Sequence, residues 1–118
     1  MTDSSPVDIA AALQNVDRDK DLLVELVHAF CEDTPVRVRA LGEAVGAGDG
    51  HAVARQAHAL RGSLSILGAR RAAELAQALE TAGRAGDLPQ VGTLSAGFVE
   101  ETEKVLRALS DPGWLAGL

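Results

Sequence analysis

The sequence contains few aromatic residues and a single cysteine. Its 118 residues include two Phe, one Trp and no Tyr, although apolar residues make up 47% of the chain. The chain is instead rich in Ala, Leu, Glu and Arg, a composition that favours helix over strand. Because Cys31 has no partner in the sequence, an internal disulfide is excluded, which fits a reducing compartment. Cys31 stands in an apolar run, and we expect it to be a small buried residue.

The sequence also lacks a long hydrophobic run and a basic leader. No apolar stretch approaches the roughly 18 residues of a membrane span, and the first residues, MTDSSPVD, carry acids where a secretory signal carries bases. We therefore expect a cytoplasmic protein with no membrane attachment. The chain has room for one small domain with a single core. We assign 1–118 to that domain, with 1–6 and 111–118 as loose ends.

Charge is distributed unevenly along the chain. The net charge of −6 argues against a nucleic-acid-binding protein. Between Asp49 and Glu74, however, there is no acidic residue, and the basic residues of this window are His51, Arg55, His58, Arg61, Arg70 and Arg71. A basic patch around a histidine on an otherwise acidic chain indicates a surface for an anionic partner. A solvated charged face is the alternative interpretation.

Hydrophobic periodicity predicts helices joined by short glycine-containing turns, without an alternating strand pattern. The expected helices cover 7–16, a segment that begins after Asp17 or Asp19 and ends at 46–50, and then about 50–67, 69–85 and 89–109. Pro35 either kinks the second segment or starts a new helix there, with Asp33 or Thr34 as its cap. Short turns make neighbouring helices antiparallel. We therefore predict an all-α, antiparallel up-and-down four-helix bundle with a short additional N-terminal helix.

His58 lies on the side of the third predicted helix that faces away from the core. At about 100° per residue, a core stripe of Val53, Leu60 and Leu64 falls roughly opposite the histidine. The residues that fall within about 60° of His58 are His51, Ala54, Arg55, Arg61, Gly62 and Ser65. A functional imidazole and an exposed histidine without a role both fit this geometry.

The neighbours of His58 suit attack on a phosphoryl group. A neutral imidazole is a good nucleophile near neutral pH. The attack requires a free Nε2 lone pair and positive charge near the phosphoryl oxygens, which Arg61 can supply from the same face. Gly62 lowers helix stability but removes the side chain that would stand over the ring, which leaves room for a second protein. A glycine that admits a neighbouring helix is the alternative.

The segment AHALRGSLSILGA resembles the signature of histidine phosphotransfer (HPt) domains. That signature has a histidine, a basic residue three positions on, glycine four on, a small residue five on and glycine ten on, here His58, Arg61, Gly62, Ser63 and Gly68. Arg61 stands where lysine is commoner, which keeps the charge but changes the donor geometry. The resemblance extends from DLLVELVHAF to AAELAQALETAGRAGDL and beyond, so that only the first few and about the last eight residues lie outside it.

The resemblance implies a four-helix bundle that relays a phosphoryl group on His58 between receiver-domain aspartates. It implies a phosphocarrier without a kinase ATP site, with response-regulator receiver domains and a hybrid sensor histidine kinase as partners. It also implies Mg²⁺ on the receiver and no cofactor of its own, and we expect a monomer. The alternative function is a non-catalytic adaptor that docks receivers or kinases. A third interpretation is a substrate of a separate kinase domain.

The resemblance further implies a polar side chain, on the helix after the site, that hydrogen-bonds the histidine ring. Glu80 matches this position, and Gln77 is the alternative one turn earlier. A carboxylate that accepts from Nδ1–H fixes the tautomer with a free Nε2, whereas the simpler interpretation of Glu80 is a solvated surface residue.

The two histidines of this face, His51 and His58, are seven residues apart, farther than a usual helical ligand pair, so we predict no metal site. The residues expected to dock a partner are His51, Ala54, Arg55 and Ser65.

Overall fold

The computed structural model describes residues 5–118 as five α-helices followed by a C-terminal 3₁₀ helix, and this part of the chain contains no β-strand. The α-helices α2 to α5 form a closed antiparallel bundle, in which α3 packs on α2 and α4 while α5 packs on α4 and α2. The predicted all-α four-helix bundle with a short additional N-terminal helix is thereby confirmed. The elements are α1 (Ile9–Asn15), α2 (Lys20–Gly46), α3 (Gly50–Ile66), α4 (Arg70–Ala85), α5 (Leu88–Ser110) and the 3₁₀ helix Pro112–Gly117.

Aspartate side chains fix where most of these helices begin. In each case a carboxylate oxygen accepts a hydrogen bond from the backbone N–H three residues on, which satisfies one of the free donors of the first turn. Of the two residues considered for α2, Asp19 is the cap, accepting from the Leu22 N–H at 3.0 Å. Asp17 lies in the preceding turn, with a φ of 55°. The capping residues of α1, α2, α3 and α5 are Asp8, Asp19, Asp49 and Asp87.

The second helix continues through Pro35 from Lys20 to Gly46. A separate helix capped by Asp33 or Thr34 is therefore not present, and Thr34 is instead buried, with 2% of its surface exposed. Burial on both sides of the proline explains the continuity, because packing outweighs the one backbone hydrogen bond that proline removes. Cys31, which we expected to be buried, is only half-buried.

The core stripe of α3 determines which way the rest of that helix faces. Val53, Leu60 and Leu64 are buried as predicted, with at most 1% of any of them exposed. They pack in one cluster with the inner faces of the other helices, where Phe98 of α5 is fully buried. Since one face of α3 is held in the core, the opposite face is turned to solvent.

The C-terminal residues differ from the loose end expected for 111–118. Pro112–Gly117 form the 3₁₀ helix, which contacts α1 and α5. Trp114 and Leu118 lie partly buried against the core. Burial of the large apolar indole stabilises the packing of this segment. At the other end, Ser5 is exposed and residues 1–4 of the expected loose segment 1–6 lie outside the described residues. None of the helices described in residues 5–118 combines the length and the apolar composition that a membrane span requires.

Gly68 is the glycine on which the turn between α3 and α4 depends. Its φ is +73°, and an added Cβ would overlap the backbone oxygen of Asp8. We expect Gly68→Ala to destabilise the fold by about 3 kcal/mol, from left-handed strain together with the overlap. Gly86 has a similar φ of +70° but open surroundings, so Gly86→Ala should lose only about 1–2 kcal/mol. Urea unfolding measures both variants, and equal losses would contradict the role of the Asp8 contact.

Candidate functional site

His58 stands on the outer face of α3, with 57% of its side chain exposed. His51, Arg55 and Ser65, which we predicted on the same face, are exposed as well. Ala54 is the exception, because only 5% of it is exposed. It lies under the backbone of α4, and its N atom is 3.1 Å from where a Cβ on Gly83 would stand. Ala54 therefore offers almost no surface to a partner, which corrects that assignment.

Glu80 reaches the His58 ring from α4. Its side chain is 7% exposed, and Oε2 accepts a hydrogen bond from His58 Nδ1–H at 3.0 Å. Because an ionised carboxylate has no proton to donate, the ring proton belongs on Nδ1 and the Nε2 lone pair is free. Of the two polar residues considered on α4, Glu80 therefore contacts the ring, whereas Gln77 is exposed one turn earlier. The interpretation of Glu80 as a solvated surface residue is wrong.

Two arginines pair with the same carboxylate. Arg84 Nη2 lies 2.6 Å from Glu80 Oε2, and Arg61 Nε lies 3.3 Å from Oε1. The Arg61 Nε–H is not aligned for a hydrogen bond, so this second contact is an ion pair only. A carboxylate is unfavourable in a buried position unless cations and hydrogen-bond donors compensate it. The two guanidinium groups and the imidazole N–H supply that compensation.

Arg61 also approaches the His58 ring itself. Its Nη2 lies 3.2 Å from Nδ1, the nitrogen that faces Glu80. Nδ1 cannot accept from Arg61 while it donates to Glu80, since a ring nitrogen carries either a proton or a lone pair. The carboxylate prevails, because an Nδ1 lone pair would face an anion at 3.0 Å. Arg61 thus lies on the Nδ1 side of the ring and anchors Glu80.

Arg84 was missed from the sequence. It lies four residues after Glu80, a spacing at which opposite charges on a helix meet, so the signal was present. In the structure it also faces a recess of about 250 Å³ beside the histidine, and no acidic residue lines this space. The side of His58 towards α4 is therefore basic. The residues that line the recess are His51, Ala54, Arg55, His58 and Arg84.

Gly62 leaves the other side of His58 open. A Cβ added there would meet nothing within 4 Å. No element of residues 5–118 therefore packs against this glycine, and the alternative of a glycine that admits a neighbouring helix is wrong for this part of the chain. A groove between α2 and α3 runs along the same helix, and Ala59, Ser63 and Ile66 are among the α3 residues that line it.

Comparison with known proteins identifies the family of this chain. The family model described as the Hpt domain matches residues 25–111. The chain belongs to the Hpt domain family. Histidine-containing phosphotransfer protein B from Pseudomonas aeruginosa PAO1, known from a crystal structure, is 26% identical to this chain in sequence. The two structures have a TM-score of 0.81, and the match covers 92% of this chain and 94% of that one. A search of the curated proteins finds no match.

A second solved structure shows the same fold. The HPT domain of the Hpt sensor hybrid histidine kinase from Shewanella has a TM-score of 0.86 and 20% identity, and the match covers 98% of both chains. The Hpt family model and the likeness to histidine-containing phosphotransfer protein B show histidine phosphotransfer in a phosphorelay as the function of this Hpt domain. Domains of this family interact with receiver domains and histidine kinases. The comparisons do not favour the alternative of a non-catalytic adaptor over phosphotransfer.

We expect Glu80→Gln to mix the two neutral tautomers of His58. A glutamine amide presents either its oxygen or its NH₂ group to Nδ1, so the structure no longer imposes the Nδ1–H form. Nitrogen-15 NMR of the imidazole, at a pH where the ring is neutral, measures the ratio. Glu74→Gln is the matched control, because it removes the same charge from α4 at a side chain that is 66% exposed and pairs with Arg70. An Nδ1–H population unchanged in Glu80→Gln would show that Glu80 does not set the tautomer.

Proposed function

We propose that His58 carries the phosphoryl group between receiver-domain aspartates. The hydrogen bond from Nδ1–H to Glu80 is the observation that supports this most strongly, because it leaves Nε2 free on a ring that is 57% exposed. Nε2 is the nitrogen on the side of the ring away from Glu80. The open space at Gly62 gives a partner access to that ring.

The transfer is a pair of displacements at phosphorus. The Nε2 lone pair attacks the phosphorus of a receiver's aspartyl phosphate, the P–O bond to the aspartate breaks, and the aspartate leaves as a carboxylate. The product is a phosphorylated imidazolium whose Nδ1–H still donates to Glu80, so that the carboxylate stabilises the new positive charge on the ring. In the second displacement an aspartate oxygen of another receiver attacks phosphorus, and the N–P electron pair returns to Nε2. No proton moves in either step.

The charges around His58 favour the arrival of a phosphoryl group. Glu80 contributes one negative charge and its partners Arg61 and Arg84 contribute two positive ones, so this cluster carries +1 while the ring is neutral. Guanidinium groups bind phosphoryl oxygens well because their donors are paired in one plane. We assign the docking of the receiver to this basic face, with His51, Arg55 and Ser65 as contact residues.

We propose further that the receiver supplies Mg²⁺. A magnesium site needs carboxylate oxygens that are free to bind it, and the carboxylate at this site, Glu80, already binds His58, Arg61 and Arg84. A hybrid sensor histidine kinase is the other partner that we propose. The cytoplasmic location and the monomeric state stay predictions.

Phosphorylation of His58 is tested by incubation with phosphorylated receivers. We expect the wild-type protein to take up a phosphate that is acid-labile and base-stable, as a phosphohistidine is, and His58→Gln to take up none. His28→Gln, a change of an exposed histidine on α2, is the matched control and should be labelled like wild type. Labelling of His58→Gln at the wild-type level would overturn the assignment. If neither the wild-type protein nor His58→Gln takes up label but both bind receivers, the chain acts as the non-catalytic adaptor instead.

Access over Gly62 is tested by Gly62→Gln. We expect phosphotransfer to slow by about a hundredfold, because the new side chain stands where the receiver must approach, while the fold gains up to about 1 kcal/mol from helix propensity. Gly97→Gln is the matched control, since Gly97 is also an exposed helical glycine with nothing within 4 Å of an added Cβ. It should gain the same stability and transfer normally. Wild-type rates in Gly62→Gln would contradict the steric role of this glycine.

A further inference from the structure

Two glycines bring the backbones of α3 and α4 into direct contact. A Cβ added to Gly50 would stand 2.5 Å from the Gly83 carbonyl oxygen, and one added to Gly83 would stand 2.7 Å from the Gly50 carbonyl oxygen. The contact is reciprocal, and no side chain separates the two helices there. Ala54 lies against the same point of α4, with its Cα 3.4 Å from the ideal Cβ position of Gly83.

Ala54 and Gly83, at the near end of this contact, lie about one helical turn from the His58–Glu80 hydrogen bond, whereas Gly50 lies about two turns from His58. His58 follows Ala54 by four residues on α3, and Glu80 precedes Gly83 by three residues on α4. At 1.5 Å per residue these steps are roughly 6 Å and 4.5 Å along the two axes. A change in the α3–α4 separation at Gly83 therefore produces a similar change in the separation at Glu80.

The reach of the Glu80 side chain leaves little tolerance for a wider separation. Its Oε2 is 3.0 Å from His58 Nδ1, and the side chain is 7% exposed. With a methyl group at position 83, the 2.7 Å contact must lengthen by 0.7 Å to reach the 3.4 Å of ordinary van der Waals contact. The atom that must give way belongs to the backbone and cannot swing aside. The same displacement takes a hydrogen bond of 3.0 Å to about 3.7 Å, beyond hydrogen-bonding distance.

We infer that Gly50 and Gly83 are positioning residues for phosphotransfer, whose backbone contact sets the α3–α4 separation at which Glu80 holds the Nδ1–H tautomer of His58. The inference rests on the proposed role of His58. Neither glycine has a side chain that could reach the histidine, and both act through Glu80. Gly62 has the opposite surroundings, because it has free space where these two have backbone.

Gly83→Ala tests the inference, with Gly97→Ala as the matched change on α5. We expect Gly83→Ala to raise the Nε2–H population of His58, seen by nitrogen-15 NMR, and to slow transfer about tenfold, as the loss of one charge-assisted hydrogen bond does. Gly97→Ala should change neither quantity. In a Glu80→Ala background, Gly83→Ala should slow transfer no further, because the bond through which it acts is already gone. A tenfold loss in both backgrounds would show a role independent of Glu80 and overturn the inference.

Glu80→Asp provides a second test that does not disturb the helix packing. It shortens the side chain by one methylene at unchanged separation, so it should release Nδ1 and slow transfer as Gly83→Ala does. A wild-type tautomer ratio and rate in Glu80→Asp would show that the separation is not critical and overturn the inference, even if Gly83→Ala does not fold. The NMR measurement needs no receiver, so it distinguishes a failure of this inference from a failure of His58 to accept phosphate.

Discussion

The hydrogen bond from His58 Nδ1–H to Glu80 joins two helices and selects one of the two neutral tautomers of the imidazole ring. With the proton on Nδ1, the exposed nitrogen is a nucleophile, and with the proton on Nε2 it is not. The bond also connects an exposed reactive group with the packed part of the bundle, because the donor side chain is 57% exposed while the acceptor side chain is 7% exposed. A more buried ring has no room for a partner, and a more exposed carboxylate has its interaction weakened by water.

The bundle explains how an acidic residue is kept in that position. Leu79, next to Glu80, is fully buried, which holds this turn of α4 against the core and places Glu80 at the edge that faces α3. Arg61 from α3 and Arg84 from α4 then pair with the carboxylate from either side. The chain as a whole carries a net charge of −6, yet the cluster around the nucleophile is positive. The fold thus places basic charge where a phosphoryl group is to be bound, although the chain as a whole is acidic.

The features that depend on a single helix were predictable from the sequence. The core stripe of α3 and the turn at Gly68 follow from periodicity and from helix-capping preferences. Features that depend on two helices were not. The helical wheel placed Ala54 beside His58 on the exposed face, since a wheel gives angles around one axis and does not show where the next helix lies. Glu80 was ambiguous for the same reason, because whether a glutamate is solvated or bound to a ring depends on the distance between α3 and α4.

Glycines show this limit most clearly, because the sequence gives Gly50 and Gly62 the same helix propensity. A glycine in a helix is less favourable than alanine by about 1 kcal/mol, and the surroundings decide what offsets that loss. At Gly50 the missing side chain admits the backbone of α4, whereas at Gly62 it admits nothing from residues 5–118. Close packing within the bundle accounts for the first, whereas the second is one of several helical glycines, Gly97 among them, that no other part of residues 5–118 approaches. Gly62 differs from Gly97 in its position, four residues after His58 on the same helix, so its missing side chain bears on the access of a partner to that ring and not on the packing of the bundle.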